Sequence, residues 1–155
     1  GRVTIDAPIG RCFDLVRSID FHAAAAKSID GKAIGEKTGG LAEAGDSTRR
    51  QAKFCGLRFR LTTRVANASR PGRFREVMTV GMFKSFSHDY RLSEIDGRTV
   101  LEDAFQFESP GGFIGRLFDR HLLNKAMRRA QNERLQAIKA ALESGAAGAF
   151  LKAHP

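Results

Sequence analysis

The sequence predicts an α+β fold, in which a curved antiparallel sheet surrounds a long C-terminal helix and two short helices follow the first strand. Three observations favour this class. Residues 47–108 form consecutive runs of apolar–polar alternation separated by short turn signals. Residues 113–143 change to helical periodicity. The chain before residue 47 holds a short strand followed by two helix signals.

The N-terminal segment supplies the first strand and both short helices. Arg2–Ile5 is predicted as a strand, and Asp6 with Pro8 is typical of a helix start. A second short helix is predicted to begin at Asp20. The first helix is indicated by apolar residues at spacings of three and four: Ile9, Cys12, Phe13, Val16 and Ile19.

The glycine-rich segment that follows predicts one weak strand, about 32–36, and a loop, about 37–46. It contains neither GxGxxG nor GxxxxGK[ST], so its glycines indicate turns and not a phosphate-binding loop.

The central part of the chain predicts five longer strands. "STRRQAKF" turns at Cys55-Gly56 into "LRFRLTTRVAN", where apolar residues alternate with arginines. Pro71-Gly72 introduces "RFREVMTV", and "FKSFSHDYRL" follows. Asp96-Gly97 is the strongest hairpin signal and leads into "RTVLEDAFQFE".

The two-residue turn at Asp96-Gly97 sets a register, because Ile95 must lie opposite Arg98. Arg91 then faces Glu102, which predicts an exposed cross-strand ion pair. On the opposite, concave face the pairs are Leu92 with Leu101, Tyr90 with Asp103, His88 with Phe105, and Phe86 with Phe107.

Polar side chains converge on this otherwise apolar face. A turn near Met82 would place Met78 opposite Phe86 and Glu76 opposite His88. Because an unpaired buried polar group costs about 1–3 kcal/mol, these groups must be satisfied by each other or by a ligand. The predicted cluster consists of Glu76, His88, Tyr90 and Asp103.

Three interpretations of the cluster remain open from the sequence. In a self-satisfied network, the Tyr90 hydroxyl bonds Asp103 and His88 bonds Glu76. In a ligand site, the same groups orient a molecule in an apolar pocket. The third interpretation is a metal site. One histidine with two carboxylates matches the usual zinc ligand sets poorly, so neither a metal nor a cofactor is predicted.

The net charge of +9 is concentrated in one window, residues 47–75, which has nine basic residues and no acid. Most of these side chains alternate outward from predicted strands, which favours a solvated sheet face. An anionic membrane surface contacting basic residues 49–75 is an alternative partner. Nucleic acid is disfavoured, because no aromatic residue interleaves the arginines on their own face.

The totals favour a single domain at 1–144 with a C-terminal tail at 145–155 that we leave without assigned structure. No apolar run approaches the roughly 18 residues of a membrane span. Cys12 and Cys55 show no paired or metal-binding spacing, so we expect free thiols and a cytoplasmic location. The sequence does not predict an oligomeric state.

Three stretches resemble the START-like (SRPBCC) superfamily, in its polyketide cyclase/dehydrase-like, ligand-binding branch: "IDAPIGRCFDLVRSIDFH", "GMFKSFSHDYRL" and "DGRTVLEDAFQFESPGG". The resemblance extends from Val3 to about Ala141. It implies a helix-grip (START/Bet v 1-like) fold with a deep cavity between the sheet and the C-terminal helix.

The resemblance also implies that His88 and Asp103 point toward that cavity. The chain departs from the expected pattern at three positions. Glu76 stands where the branch is expected to have Asp, Phe86 where Trp is expected, and Tyr90 where a second His is expected.

Two functional hypotheses follow. The first is binding of a small apolar or amphipathic ligand that is lipid-, quinone- or polyketide-like. The second is a polyketide cyclase or dehydratase, in which His88 or Asp103 abstracts a proton and Tyr90 hydrogen-bonds the enolate. The predicted ligand-lining residues are Glu76, His88, Tyr90, Asp103, Phe59, Leu61, Phe74, Met78, Phe86 and Phe105.

Overall fold

The computed structural model describes residues 1–25, 32–34, 37–54, 57–81, 83–108 and 124–151. In these ranges the strands form one seven-stranded antiparallel sheet with the order β1-β7-β6-β5-β4-β3-β2. The strands are β1 Arg2–Ile5, β2 Lys32–Ile34, β3 Ser47–Phe54, β4 Leu57–Ser69, β5 Arg73–Val80, β6 Ser85–Ile95 and β7 Arg98–Glu108. The helices are α1 Ile9–Val16, α2 Ile19–Ala25 and α3 Asn124–Glu143, followed by a 3₁₀ helix at Ala146–Ala149.

This architecture confirms the predicted fold class: a curved antiparallel sheet, two short helices after the first strand, and a long C-terminal helix. The predicted beginning of the long helix, 113–123, and the predicted turn at 55–56 lie outside the described residues. The weak strand predicted at about 32–36 is described over Lys32–Ile34.

The predicted hairpin register is confirmed along its whole length, from Ile95 opposite Arg98 to Phe86 opposite Phe107. Asp96 and Gly97 have φ values of 51° and 74°, the left-handed pair that a tight two-residue hairpin turn requires. The predicted pairing of Glu76 with His88 is confirmed as well.

The predicted ion pair between Arg91 and Glu102 is wrong, although the two residues lie opposite each other. Arg91 instead lies 3.5 Å from Asp89, and Glu102 lies 3.9 Å from Arg2 on the neighbouring strand. Asp89 and Arg2 are alternative partners for Arg91 and Glu102. Because exposed ion pairs contribute little to stability, the free energy hardly favours one pairing over the other.

The helices α1 and α3 pack on one face of the sheet, here called the inner face. One half of this face is a closed core in which Phe13 of α1 meets Phe74 edge-on, with ring centroids 6.5 Å apart. Ile138 of α3 and Leu101 of β7 are completely buried in the same core. This half of the molecule therefore holds the sheet and both helices in a fixed arrangement.

The segment after α3, to which the sequence assigned no structure, packs back on the core. Gly145 adopts φ 79° and reverses the chain, and Ala147 is completely buried. The Phe150 ring lies 5.5 Å from that of Phe21, and the Ser18 hydroxyl donates to the Phe150 carbonyl at 3.0 Å. Phe150 of this short segment packs against Phe21 of α2, a contact that local periodicity does not reveal.

No helix within the described ranges combines the length and the apolar character that crossing a bilayer requires.

We expect Phe150→Ala to lower the free energy of unfolding by about 2 kcal/mol, because it removes a partly buried ring from the core. Phe150→Leu should retain most of that stability and serves as the control. Urea denaturation followed by circular dichroism measures both. Unchanged stability in the alanine variant would show that the segment does not contribute to the core.

Candidate functional site

The candidate site lies on the inner face, where the closed core gives way to partly exposed aromatic side chains. Strands β5, β6 and β7 bring together the four predicted polar residues, each at most 6% exposed: Glu76, His88, Tyr90 and Asp103. Alternation along each strand explains their placement, because every second residue points inward. We call these four residues, with Arg50 and Arg134, the polar cluster.

His88 and Asp103 form the central contact of the polar cluster. The His88 Nε2 donates to Asp103 Oδ1 at 2.6 Å, and both side chains are almost completely buried. Burial alone would raise the pKa of Asp103, but the charge and hydrogen bond of His88 outweigh it and hold that pKa below its usual value. The second carboxylate oxygen of Asp103, Oδ2, has no hydrogen-bond partner among the described residues.

Glu76 is satisfied from the neighbouring strands. Its Oε1 accepts a hydrogen bond from the Thr63 hydroxyl at 3.2 Å and lies 3.7 Å from the Arg50 guanidinium. Arg50 belongs to the basic window at 47–75, most of whose side chains are predicted to face outward, but it lies opposite Leu61 on the inner face. The register of the β3–β4 hairpin was the signal that identifies it.

Arg134 of α3 reaches the cluster from the helix and was missed from the sequence. Its NH1 lies 3.4 Å from His88 Nδ1 and 3.5 Å from the Tyr90 hydroxyl oxygen. Arg134 is four residues before the buried Ile138 and seven after Met127, so its spacing places it on the apolar stripe of α3. That spacing was the available signal.

The predicted internal network differs from the one observed. The sequence paired Tyr90 with Asp103 and His88 with Glu76, whereas His88 bonds Asp103 and the Tyr90 hydroxyl meets Arg134. The two arginines explain the difference. They supply charged partners for Glu76 and Tyr90 that strand pairing alone does not show.

The Tyr90 hydroxyl stays protonated, because burial raises its pKa above the usual value. On one side its ring packs beside His88, with centroids 4.2 Å apart, and on the other it stacks on His22 at 6.4 Å. The His22 Nε2 donates to the Val16 carbonyl at 2.6 Å. Tyr90 is therefore fixed in position between two imidazoles.

Next to His88 the inner face becomes aromatic. The Phe105 ring lies 5.5 Å from His88, 4.7 Å from Phe86 and 5.7 Å from Phe107, and Phe83 lies 5.5 Å from Phe107. We call these four phenylalanines the aromatic surface. Phe86, Phe105 and Phe107 are each partly exposed, unlike the closed core on the other side of Tyr90.

The remaining predicted lining residues divide between the two halves. Leu61 and Met78 are partly exposed on the inner face, beyond Glu76 toward the aromatic half. Phe74 is 2% exposed and belongs to the closed core. The side chain of Phe59 lies outside the described residues. No group of three or more His, Cys, Asp or Glu residues in the described part of the chain is arranged to hold a metal ion.

His22 gives the site a pH-dependent contribution to stability. Burial, and then the charges of Arg134 and Arg50, lower its pKa well below the usual value of 6.5. As the pH falls below about 6.5, the unfolded chain therefore takes up a proton that the folded chain refuses, and stability falls.

We expect the free energy of unfolding to fall between pH 7 and pH 5 with a slope of up to about 1.4 kcal/mol per pH unit from His22. His22→Gln, which retains a donor toward the Val16 carbonyl, should show a shallower decline. Urea titrations of both proteins across this range measure the difference. Parallel pH profiles would contradict the assignment.

The comparisons with known proteins agree with this fold. The family model described as "Polyketide cyclase / dehydrase and lipid transport" matches residues 1–143. Among solved structures, TTHA0849 from Thermus thermophilus has 16% identity and a TM-score of 0.73, covering 94% of this chain and 96% of its own. A START superfamily protein from Mycobacterium smegmatis has 12% identity and a TM-score of 0.69, covering 93% and 95%.

A third similar structure is that of Ara h 8.0201, with 13% identity and a TM-score of 0.65, covering 93% of this chain and 95% of its own. No curated protein matches the sequence. At these identities the structural likeness establishes the fold alone, and the family rests on the model match over nearly the whole chain. The chain belongs to the polyketide cyclase/dehydrase and lipid transport family.

Proposed function

We propose that the chain binds a small apolar or amphipathic molecule, lipid-, quinone- or polyketide-like, between the inner face of the sheet and α3. The observation that carries this proposal is the contrast within the inner face. On one side of Tyr90 the core is closed, whereas on the other side Phe86, Phe105 and Phe107 keep part of their surface exposed.

Exposed aromatic area on an inward-facing surface favours a ligand. Removing apolar surface from water contributes about 25 cal/mol per Å². The ring contacts join Phe83, Phe86, Phe105 and Phe107 into one continuous surface, so a flat or extended apolar molecule can cover several rings at once. Leu61 and Met78 extend the apolar lining toward β4 and β5.

The polar cluster gives such a ligand an orientation. It begins where the aromatic surface ends, because His88 touches Phe105 on one side and Tyr90 on the other. An apolar surface with a few convergent polar groups is the usual form of a small-molecule site. The apolar body of the ligand would cover the phenylalanines, and its polar end would meet the cluster.

A cyclase or dehydratase acting on a polyketide-like substrate is the second candidate, and the His88–Asp103 pair favours it. A carboxylate that holds one imidazole nitrogen orients the other as a base, and Tyr90 can donate to a developing enolate. Arg134 contacts His88 Nδ1 at 3.4 Å, however, so this base would have to exchange that contact for the substrate. Ligand binding requires no such exchange.

Two further predictions from the sequence remain predictions. Arg49, Arg60 and Arg64 are exposed, as contact with an anionic membrane surface would require, but a solvated outer face explains them equally well. Cys12 is a buried free thiol. The predicted cytoplasmic location has no support other than this expectation of free thiols.

We expect Phe86→Glu to weaken binding of the neutral fluorescent probe N-phenyl-1-naphthylamine by about tenfold or more, because it places a charge on the aromatic surface. Ile95→Glu is the matched control, since Ile95 lies on the same strand and is 48% exposed away from the site. Fluorescence titration measures both. Equal losses in the two variants, or none in either, would contradict the proposed site.

A second comparison separates binding from catalysis. Asp103→Asn removes the charge from the His88 hydrogen bond and should lower stability by about 1.5–3 kcal/mol. If the chain is a binding protein, the same variant should keep its affinity for the neutral probe within about threefold. Ring-closure or dehydration of a polyketide-like substrate by the natural chain, lost in this variant, would favour the enzyme.

A further inference from the structure

We infer that the ligand of this site is an apolar molecule with an anionic oxygen, such as a carboxylate, and that Arg134 and the Tyr90 hydroxyl bind that oxygen. The inference rests on the proposed function and specifies its ligand class. Three observations carry it: the partners of Arg134, the partners of the nearby carboxylates, and the unused donor of Tyr90.

Arg134 is a partly buried guanidinium that has no acidic partner among the described residues. No Asp or Glu in the described ranges forms an ion pair with it, and its NH1 meets only the His88 ring and the Tyr90 hydroxyl, at 3.4–3.5 Å. Its NH2 and Nε atoms make no hydrogen bond with any described residue. A desolvated cation is normally paired with an anion, and these contacts are long for hydrogen bonds.

The carboxylates of the cluster are already held by other groups. Glu76 accepts from Thr63 and lies beside the Arg50 guanidinium, whereas Asp103 accepts from His88. Neither carboxylate is within ion-pair distance of Arg134, so both interact with its charge only by longer-range electrostatic attraction. A ligand anion would therefore meet a cation whose donors are still available.

Tyr90 adds a neutral donor at the same point. Its hydroxyl oxygen lies 3.5 Å from the Arg134 NH1, and its own proton has no acceptor among the described residues. Because this hydroxyl stays protonated, a charged donor and a neutral donor face the same space. Two convergent donors suit one acceptor that carries negative charge.

The position of this donor pair defines the shape of the ligand. The His88 ring lies between Tyr90 and Phe105. The anionic end of the ligand would therefore be separated from the aromatic surface by the width of the His88 ring. A molecule with a terminal carboxylate and an apolar body fits this arrangement. A cationic ligand is disfavoured, because its charge would lie beside Arg134.

Displacement of a neutral reporter tests the inference without knowledge of the natural ligand. N-phenyl-1-naphthylamine is bound to the folded protein and then displaced with decanoate or with 1-decanol, which share a chain length and differ in charge. In the natural chain, decanoate should displace the reporter at a concentration about tenfold or more below that of 1-decanol.

Arg134→Met should reduce this ratio to about one or less, because it removes the cation and keeps an apolar side chain of similar length. Arg134→Gln is a second variant in case the first perturbs folding. Arg128→Met, at an exposed position of the same helix, should keep the ratio of the natural chain. Because each result is a ratio, a general loss of affinity cancels.

The outcomes distinguish the inference from the function on which it rests. Failure of the natural chain to bind the reporter would overturn the proposed function itself. Reporter binding with equal displacement by decanoate and 1-decanol would leave the apolar site standing and overturn the anionic ligand. An unchanged ratio in a folded Arg134 variant would also overturn the role of Arg134.

Discussion

Burial of ionisable groups on the inner face is the constraint around which this molecule is organised. An imidazole and a carboxylate cannot occupy an apolar interior singly, and the 2.6 Å contact between His88 and Asp103 satisfies part of that requirement. Glu76 needs Thr63 and Arg50 for the same reason. Side-chain contacts therefore link β3 and β4 to β5, and β6 to β7, in addition to the pairing within the sheet.

Arg134 extends the cluster to α3 through its contacts with His88 and Tyr90. On the closed side of Tyr90, Ile138 and Leu101 are completely buried, and this close packing holds α3 rigidly against the sheet. On the aromatic side the rings are less buried and part of their surface stays open. Rigid support on one side and available apolar surface on the other are what a preformed binding site requires.

Turn residues and the alternation of apolar and polar residues were sufficient to predict most of the fold. The turn at Asp96-Gly97 determined the β6–β7 register because a two-residue loop leaves no freedom in pairing, and the register then placed Tyr90 opposite Asp103. The convergence of the polar side chains followed from alternation alone. The partners of those side chains did not, because they depend on how separate elements pack.

Arg134 illustrates that limit of local reasoning. Its place on α3 follows from helical spacing, but the rotation of α3 relative to the sheet is set by Ile138 and its neighbours in the core. Phe150 is a similar case, since its contact with Phe21 requires the reversal at Gly145. The inward position of Arg50 could have been predicted from the sequence. The register argument used for β6 and β7, applied to β3 and β4, pairs Arg50 with Leu61 on the inner face.

The central claim is that a ligand lies on the aromatic surface beside the polar cluster, and intermolecular nuclear Overhauser effects test it most directly. Unlabelled N-phenyl-1-naphthylamine would be added to isotope-labelled protein, and contacts from its ring protons would be recorded. We expect contacts from these protons to the rings of Phe86 and Phe105. Contacts confined to Ile95, an exposed apolar side chain at the last residue of β6, would contradict it.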